Sequence, residues 1–128
     1  MARNAAVIRA MFDAFARKDG MPLRDIFAEN AHWTVPGDGI MAGTVTGRDE
    51  IIRFLGRLPR ETNGTYGSEL IDVLSSEERA AAVYRAYGER EGRRIDIVQV
   101  LLFRLEGGRI TEALALPSDP GAFEAFWA

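Results

Sequence analysis

Cysteine is absent from the sequence, and histidine occurs only once, as His32. Without cysteine the chain cannot form disulfide bonds, thiolate metal sites or cysteine nucleophiles. A cysteine-free chain suits a reducing compartment, so we expect a cytoplasmic location. With a single histidine, a metal site would depend on carboxylates alone, and we therefore expect neither a metal nor a cofactor.

An excess of positive charge and a long apolar run are missing as well. The formal net charge is −3, so the chain lacks the basic surface that binding to a phosphate backbone requires. The longest apolar-rich run, IDIVQVLLF, is too short to span a bilayer, and the N-terminal residues mix charged and apolar side chains, unlike a signal peptide. We expect no nucleic-acid partner and no membrane partner.

Apolar residues are abundant enough to build one compact domain. They make up 47% of the 128 residues, and a chain of this size and composition can bury a substantial core. We therefore expect residues 1–128 to form a single domain.

The first half of the chain shows helical periodicity. Apolar residues at three- and four-residue steps predict a first helix over residues 4–18, which ends near Gly20. A short second helix includes Phe27 and stops at Glu29-Asn30. The β-forming residues 32–35 predict a strand, and a glycine-rich connection then leads to a third helix over residues 46–59.

The second half of the chain is strand-like. Four runs separated by turn signals predict strands over residues 66–74, 80–90, 94–106 and 109–116. Asp119-Pro120 then predicts the cap and first turn of a last helix. Helices first and strands last indicate an α+β fold, in which a curved, mainly antiparallel sheet carries the helices on one face.

Four stretches of the sequence carry a resemblance to a known family. In chain order they are AFARKDG, DIFAENAHWTVPG, AGTVTGRDEIIRFL and FRLEGGRITEA. Their order and spacing resemble the nuclear transport factor 2-like superfamily, in particular its SnoaL-like and ketosteroid isomerase-like branch. The resemblance implies a cone in which a curved mixed or antiparallel sheet wraps over the N-terminal helices around an apolar cavity. It also implies a homodimer formed through the outer face of the sheet.

The same resemblance locates the positions where related enzymes hold their catalytic groups. Ketosteroid isomerase uses an aspartate base together with a tyrosine and a protonated aspartate as hydrogen-bond donors. These three roles fall on Val35, Met11 and Leu101, respectively. The acidic residue on the last strand of SnoaL-type polyketide cyclases corresponds to Ala115, with Ala113 on the same face. Because none of these side chains can transfer a proton, we do not expect either mechanism.

Strand alternation predicts which side chains face the cavity. If Leu101 points inward, Gln99 shares its face because side chains alternate along a strand. Trp33 then accompanies Val35, whereas His32 and Thr34 face the opposite side unless a bulge intervenes. The predicted pocket is lined by Met11, Phe15, Trp33, Val35, Phe54, Tyr84, Gln99, Leu101, Ala113 and Ala115.

Such a pocket, with a few polar groups on an apolar wall, predicts binding of a hydrophobic small molecule. Two functions stay open at this level. One is isomerase, cyclase or lyase chemistry on an unassigned substrate without the usual catalytic acids. The other is a noncatalytic ligand-binding or scaffold module. An ionisable side chain on the cavity wall would favour the first.

Overall fold

The structure, a computed structural model, describes residues 2–128 and contains four helices and six strands. No helix in this range is long and apolar enough to cross a membrane. The α+β prediction is confirmed. The elements are α1 (Ala2–Ala16), α2 (Gly20–Ile26), β1 (Phe27–Val35), β2 (Gly43–Thr46), α3 (Arg48–Glu61), β3 (Gly67–Ser75), β4 (Arg79–Arg90), β5 (Arg93–Glu106), β6 (Arg109–Pro117) and α4 (Pro120–Trp127).

The six strands form one mixed sheet in the order β2-β1-β6-β5-β4-β3. The last four strands are an antiparallel meander. Only β1 and β6 run parallel. Helix α1 contacts β3 and β4, α3 contacts β1, and α4 contacts β5. The alternating burial along β4 and β5 places every second side chain in the core.

The largest departure from the sequence prediction lies between α2 and α3. Phe27 is not helical; it begins β1 and is fully buried opposite Ile110 of β6. The predicted glycine-rich connection contains β2, whose Thr44 pairs with Thr34 through hydroxyl groups 3.0 Å apart. Strand β1 pairs with β6, which is distant in sequence, and β2 forms at the sheet edge by pairing with β1. The local pattern did not contain this pairing information.

Helix α1 ends earlier than predicted, and Lys18 rather than Gly20 provides the turn. The amide of Lys18 donates to the carbonyl of Phe15 and that of Asp19 to the carbonyl of Ala14, both at 3.0 Å. These two bonds form a Schellman motif in which Lys18 occupies the left-handed position, with φ of 56°. The Asp19 carboxylate then caps α2 by accepting the amide of Met21 at 3.2 Å.

Candidate functional site

A polar pair lies on the inner face of β4 and β5. The Cα atoms of Tyr84 and Gln99 are direct partners across these strands, and both residues are only 4% exposed. Leu101, two residues along β5, is 3% exposed on the same face. The alternation therefore places these three side chains as predicted.

Gln99 and Tyr84 are joined by one hydrogen bond. Nε2 of Gln99 donates to the hydroxyl oxygen of Tyr84 at 2.7 Å, which leaves the hydroxyl proton of Tyr84 outside this bond. Among residues 2–128, the Gln99 side chain makes no other hydrogen bond. The pair can therefore donate a hydrogen bond from the Tyr84 hydroxyl group and accept a hydrogen bond at the side-chain carbonyl of Gln99.

Tyr84 and the nearby Tyr66 are held in their neutral form. Burial raises the pKa of Tyr84 well above its ordinary value, and the nearby Tyr66 raises it further, while the hydrogen bond from Gln99 lowers it. Burial raises the pKa of Tyr66 to about 12, partly offset by its hydrogen bond with Ser68. Both hydroxyl groups are therefore hydrogen-bond donors at neutral pH and do not act as bases.

Two small cavities adjoin these tyrosines, each with room of about 40 Å³. The first cavity extends toward α1 and the second toward α4. Both are lined by Trp33, Leu58, Tyr66, Tyr84 and Leu101. We call the two together the inner cavity.

Most of the predicted pocket residues lie on the wall of the inner cavity. Met11 and Phe15 line its α1 side, and Trp33, Tyr84 and Leu101 line both sides; its α4 side is lined by Val35, Phe54, Gln99 and Ala115. Ala113 is the exception, since it is buried beside Trp33 and Phe103, its partners in the sheet, and is outside both linings.

Other wall residues were missed. Tyr66 and Ser68 alternate at the start of the strand predicted over residues 66–74, so strand parity could have identified them. Phe123 and Trp127 lie on α4, for which the sequence predicted the start of a helix but no contact with the cavity. The full set of missed residues is Phe12, Met41, Leu55, Leu58, Tyr66, Ser68, Phe123 and Trp127.

His32 lies on the other face of the sheet. Its side chain is 42% exposed, and its Nε2 is 3.5 Å from a carboxylate oxygen of Glu112 on β6. Its neighbour Trp33 is 5% exposed and packs against Phe27, Phe54 and Phe103. The expectation that His32 faces away from the cavity agrees with this arrangement.

No carboxylate, histidine or lysine lines the inner cavity among the residues that the structure describes. The resemblance assigned the catalytic roles of related enzymes to Met11, Val35, Leu101 and Ala115. These four side chains line the wall, and none of them can transfer a proton. Across residues 2–128, no three histidine, aspartate or glutamate side chains cluster closely enough to hold a metal ion. The arrangement supports hydrogen bonding within an apolar enclosure and provides no general base at neutral pH.

Comparison with known proteins confirms the resemblance. The sequence profile of the SnoaL-like domain matches residues 8–113. The uncharacterized protein Rv0034 of Mycobacterium tuberculosis is 37% identical over 123 residues, covering 95% of this chain and 94% of that protein. Bal32a, from a soil-derived mobile gene cassette, is similar with a TM-score of 0.95 at 34% identity, over 99% of this chain and 98% of Bal32a. An NTF2-like protein of unknown function from Burkholderia pseudomallei has a TM-score of 0.85 at 24% identity, over 100% and 99% of the two chains.

Proposed function

The chain belongs to the SnoaL-like domain family, and we propose that it binds a small, largely apolar molecule that carries a carbonyl or hydroxyl oxygen. The observation that carries this proposal is the Gln99–Tyr84 hydrogen bond of 2.7 Å inside an otherwise apolar enclosure. A buried polar pair is stabilising only when its hydrogen bonds are made. A ligand oxygen that accepts a hydrogen bond from the Tyr84 hydroxyl group completes the hydrogen bonding of this pair.

Noncatalytic binding is favoured over isomerase, cyclase or lyase chemistry. Proton transfer at neutral pH needs a group whose pKa lies near the working pH. The only ionisable side chains on the described wall are Tyr66 and Tyr84, and burial raises both pKa values away from neutrality. The proposal is therefore a binding module whose tyrosine recognises an oxygen without removing a proton from the ligand.

Acetophenone and ethylbenzene form a matched pair of probes for this proposal, because they differ in the carbonyl oxygen. Binding is measured by quenching of tryptophan fluorescence, since Trp33 and Trp127 both line the inner cavity. We expect acetophenone to bind about two- to tenfold more tightly, the range of one net hydrogen bond. Tyr84→Phe should abolish this preference, whereas Thr34→Val, which removes a hydroxyl group on the outer side of β1, should preserve it. Equal binding of the two probes to the unmodified protein would contradict the proposal.

The catalytic alternative is tested with the same ketone. A base in the cavity would accelerate exchange of the acetophenone methyl hydrogens with deuterium from the solvent, which proton NMR follows directly. We expect the protein to leave the exchange rate at that of buffer. Acceleration that disappears in Tyr84→Phe would replace the binding proposal with an enolising enzyme.

We also propose that the protein is a homodimer formed through the outer face of β5 and β6. Four apolar side chains are exposed there: Val98, Leu102, Leu114 and Leu116, at 36–44% of their full surface. Leu102 and Leu114 are direct partners across the two strands, so the exposed apolar surface is continuous. Patches of this kind on small proteins mark interaction sites.

The homodimer is tested by light scattering on a sizing column. Leu102→Glu should convert the dimer to a monomer, because it places a charge in the apolar patch. Met21→Glu is the matched control, since Met21 is 74% exposed on α2, away from this face. A monomeric unmodified protein would rule the homodimer out.

The proposal also includes a cytoplasmic location, which fractionation of cells tests.

A further inference from the structure

We propose that the inner cavity is one end of a longer ligand site, that Phe15 separates it from an outer compartment, and that Lys18 binds a carboxylate there. The ligand class is then an amphipathic monocarboxylic acid, with its apolar end near Tyr84 and its acid group at Lys18. This inference rests on the proposed function and specifies the ligand of the same site.

The inner cavity is too small to hold a complete ligand. Each of its two parts offers about 40 Å³, whereas pockets for small molecules usually begin at about 300 Å³. Two larger pockets share wall residues with it, with volumes of about 310 Å³ and 190 Å³. The first lies between α1, α2 and α3, and the second lies between α1 and β3.

Phe15 is part of the wall of the inner cavity and of both outer pockets. Its ring is half-buried and meets the edge of the Tyr66 ring at a centroid distance of 6.2 Å. Helical aromatic side chains have two favourable χ1 rotamers. Because Phe15 is the residue that these three linings share, we place the barrier between the three spaces at this side chain.

Lys18 lines both outer pockets, and it is the only lysine in the chain. It occupies the left-handed position at the end of α1, with φ of 56°, where glycine is the usual residue and other residues cost roughly 1 kcal/mol or more. Among residues 2–128 its ammonium group forms no ion pair. The exposed ammonium group of Lys18, beside two pockets and without an ion pair in the described chain, is the cation that we assign to the carboxylate of the ligand.

The only acidic group on the described wall of the larger pocket is Asp19. Its carboxylate already accepts the amide of Met21 as the cap of α2, so its position is determined by the helix. The remaining lining of this pocket is mainly apolar and suits the hydrocarbon part of a ligand. The apolar lining therefore suits the chain of an amphipathic acid, and Lys18 is the cation available to its carboxylate.

The test uses phenylacetate, phenylbutyrate and phenylhexanoate, each beside its neutral amide. We expect at least one acid to bind about two- to fivefold more tightly than its amide, the range of a partly exposed ion pair. Added salt should reduce this difference. Lys18→Met keeps the apolar stem but removes the charge, and it should abolish the difference. Arg17→Met is the matched control, because Arg17 neighbours Lys18 but pairs with Asp13 at 2.9 Å outside the pockets.

Because the chain has a single lysine, NMR can detect contact between Lys18 and the ligand directly. Reductive methylation with isotopically labelled formaldehyde retains the charge of Lys18 and gives one lysine signal in the NMR spectrum. We expect the acid to shift this signal while it quenches Trp33 and Trp127 fluorescence, and the amide to quench without the shift. Quenching by the acid without a shift of the Lys18 signal would overturn the inference.

Phe15 is tested by the rate of binding. Phe15→Ala should increase the association rate of phenylhexanoate severalfold, and Phe15→Leu provides a milder variant if the alanine protein unfolds. Unchanged rates in a folded variant would show that Phe15 is not the barrier.

If the neutral amides bind but the acids show no preference, this inference fails and the proposed function stands. If neither the amides nor acetophenone binds, the proposed function itself fails.

Discussion

The two faces of strands β4 and β5 hold their polar groups in opposite ways. On the inner face, Gln99 donates one hydrogen bond of 2.7 Å to a neutral Tyr84. On the outer face, Arg85 forms a two-pronged ion pair with Asp96 at 2.7 and 2.9 Å. Arg85 also reaches Glu69 at 3.3 Å. The charged groups lie where water can solvate them, and the neutral pair lies where it cannot.

This difference separates two roles that share the same strands. Inside, burial raises the pKa of Tyr84 and keeps its proton in place, so recognition there depends on hydrogen bonds and apolar contact. Outside, the hydrogen bonds from Arg85 lower the pKa of Asp96 and keep it charged. In the proposed function, the ligand binds at the inner face and the second subunit at the outer face.

The largest expected difference between the faces is in stability. Phe103 and Leu102 are neighbours on β5, but Phe103 is 1% exposed and Leu102 is 39% exposed. Phe103→Ala should lower the free energy of unfolding by about 3–5 kcal/mol, because it leaves a cavity beside Trp33. Leu102→Ala should change it by no more than about 0.5 kcal/mol in dilute samples. Urea denaturation of samples diluted to the monomer measures both, and a large loss at Leu102 in the monomer would contradict this contrast between the faces.

The buried tyrosines predict a loss of stability in alkali. The pKa of Tyr66 is about 12 in the folded state against 10.0 ordinarily, so the unfolded chain loses the proton first. The unfolding free energy should therefore fall by about 2–3 kcal/mol as the pH rises from 10 to 12. The chain has one lysine, so few other side chains titrate in this window. Tyr84, whose pKa burial also raises, contributes in the same direction. Tyr66→Phe should therefore reduce this slope without removing it; an unchanged slope would show that Tyr66 is not held neutral.

The smallest expected effect is at the outer ion pair. Because the pKa of Asp96 lies below its ordinary 3.8, the pair stabilises the fold above that pH, and the contribution disappears as the pH falls through the lowered value. Exposed pairs contribute little, so Asp96→Asn should barely change the urea midpoint at neutral pH. The midpoints of variant and parent should converge in acid. A marked loss at neutral pH would show that this face is buried in solution.

Particular residues show how far the sequence prediction reached. Asp119 caps α4 as predicted, accepting the amide of Ala122 at 3.0 Å. The alternation along β5 also placed Gln99 inward, since a strand has a strict two-residue period. Phe27 was assigned to a helix because its spacing from Leu23 fits a helix face, yet its backbone pairs with β6. Local spacing cannot reveal a partner that lies far along the chain.

Three features can be read directly from the amino-acid sequence: the α+β order of elements, the parity of β4 and β5, and the apolar side chains at Val35, Leu101 and Ala115. These follow from residue identity and local period. Three other features are visible only in the folded chain: the parallel pairing of β1 with β6, the small volume of the inner cavity, and the position of Phe15 between the inner cavity and the outer pockets. Cavity volumes depend on how side chains from several distant elements pack together, and no local pattern specifies that packing.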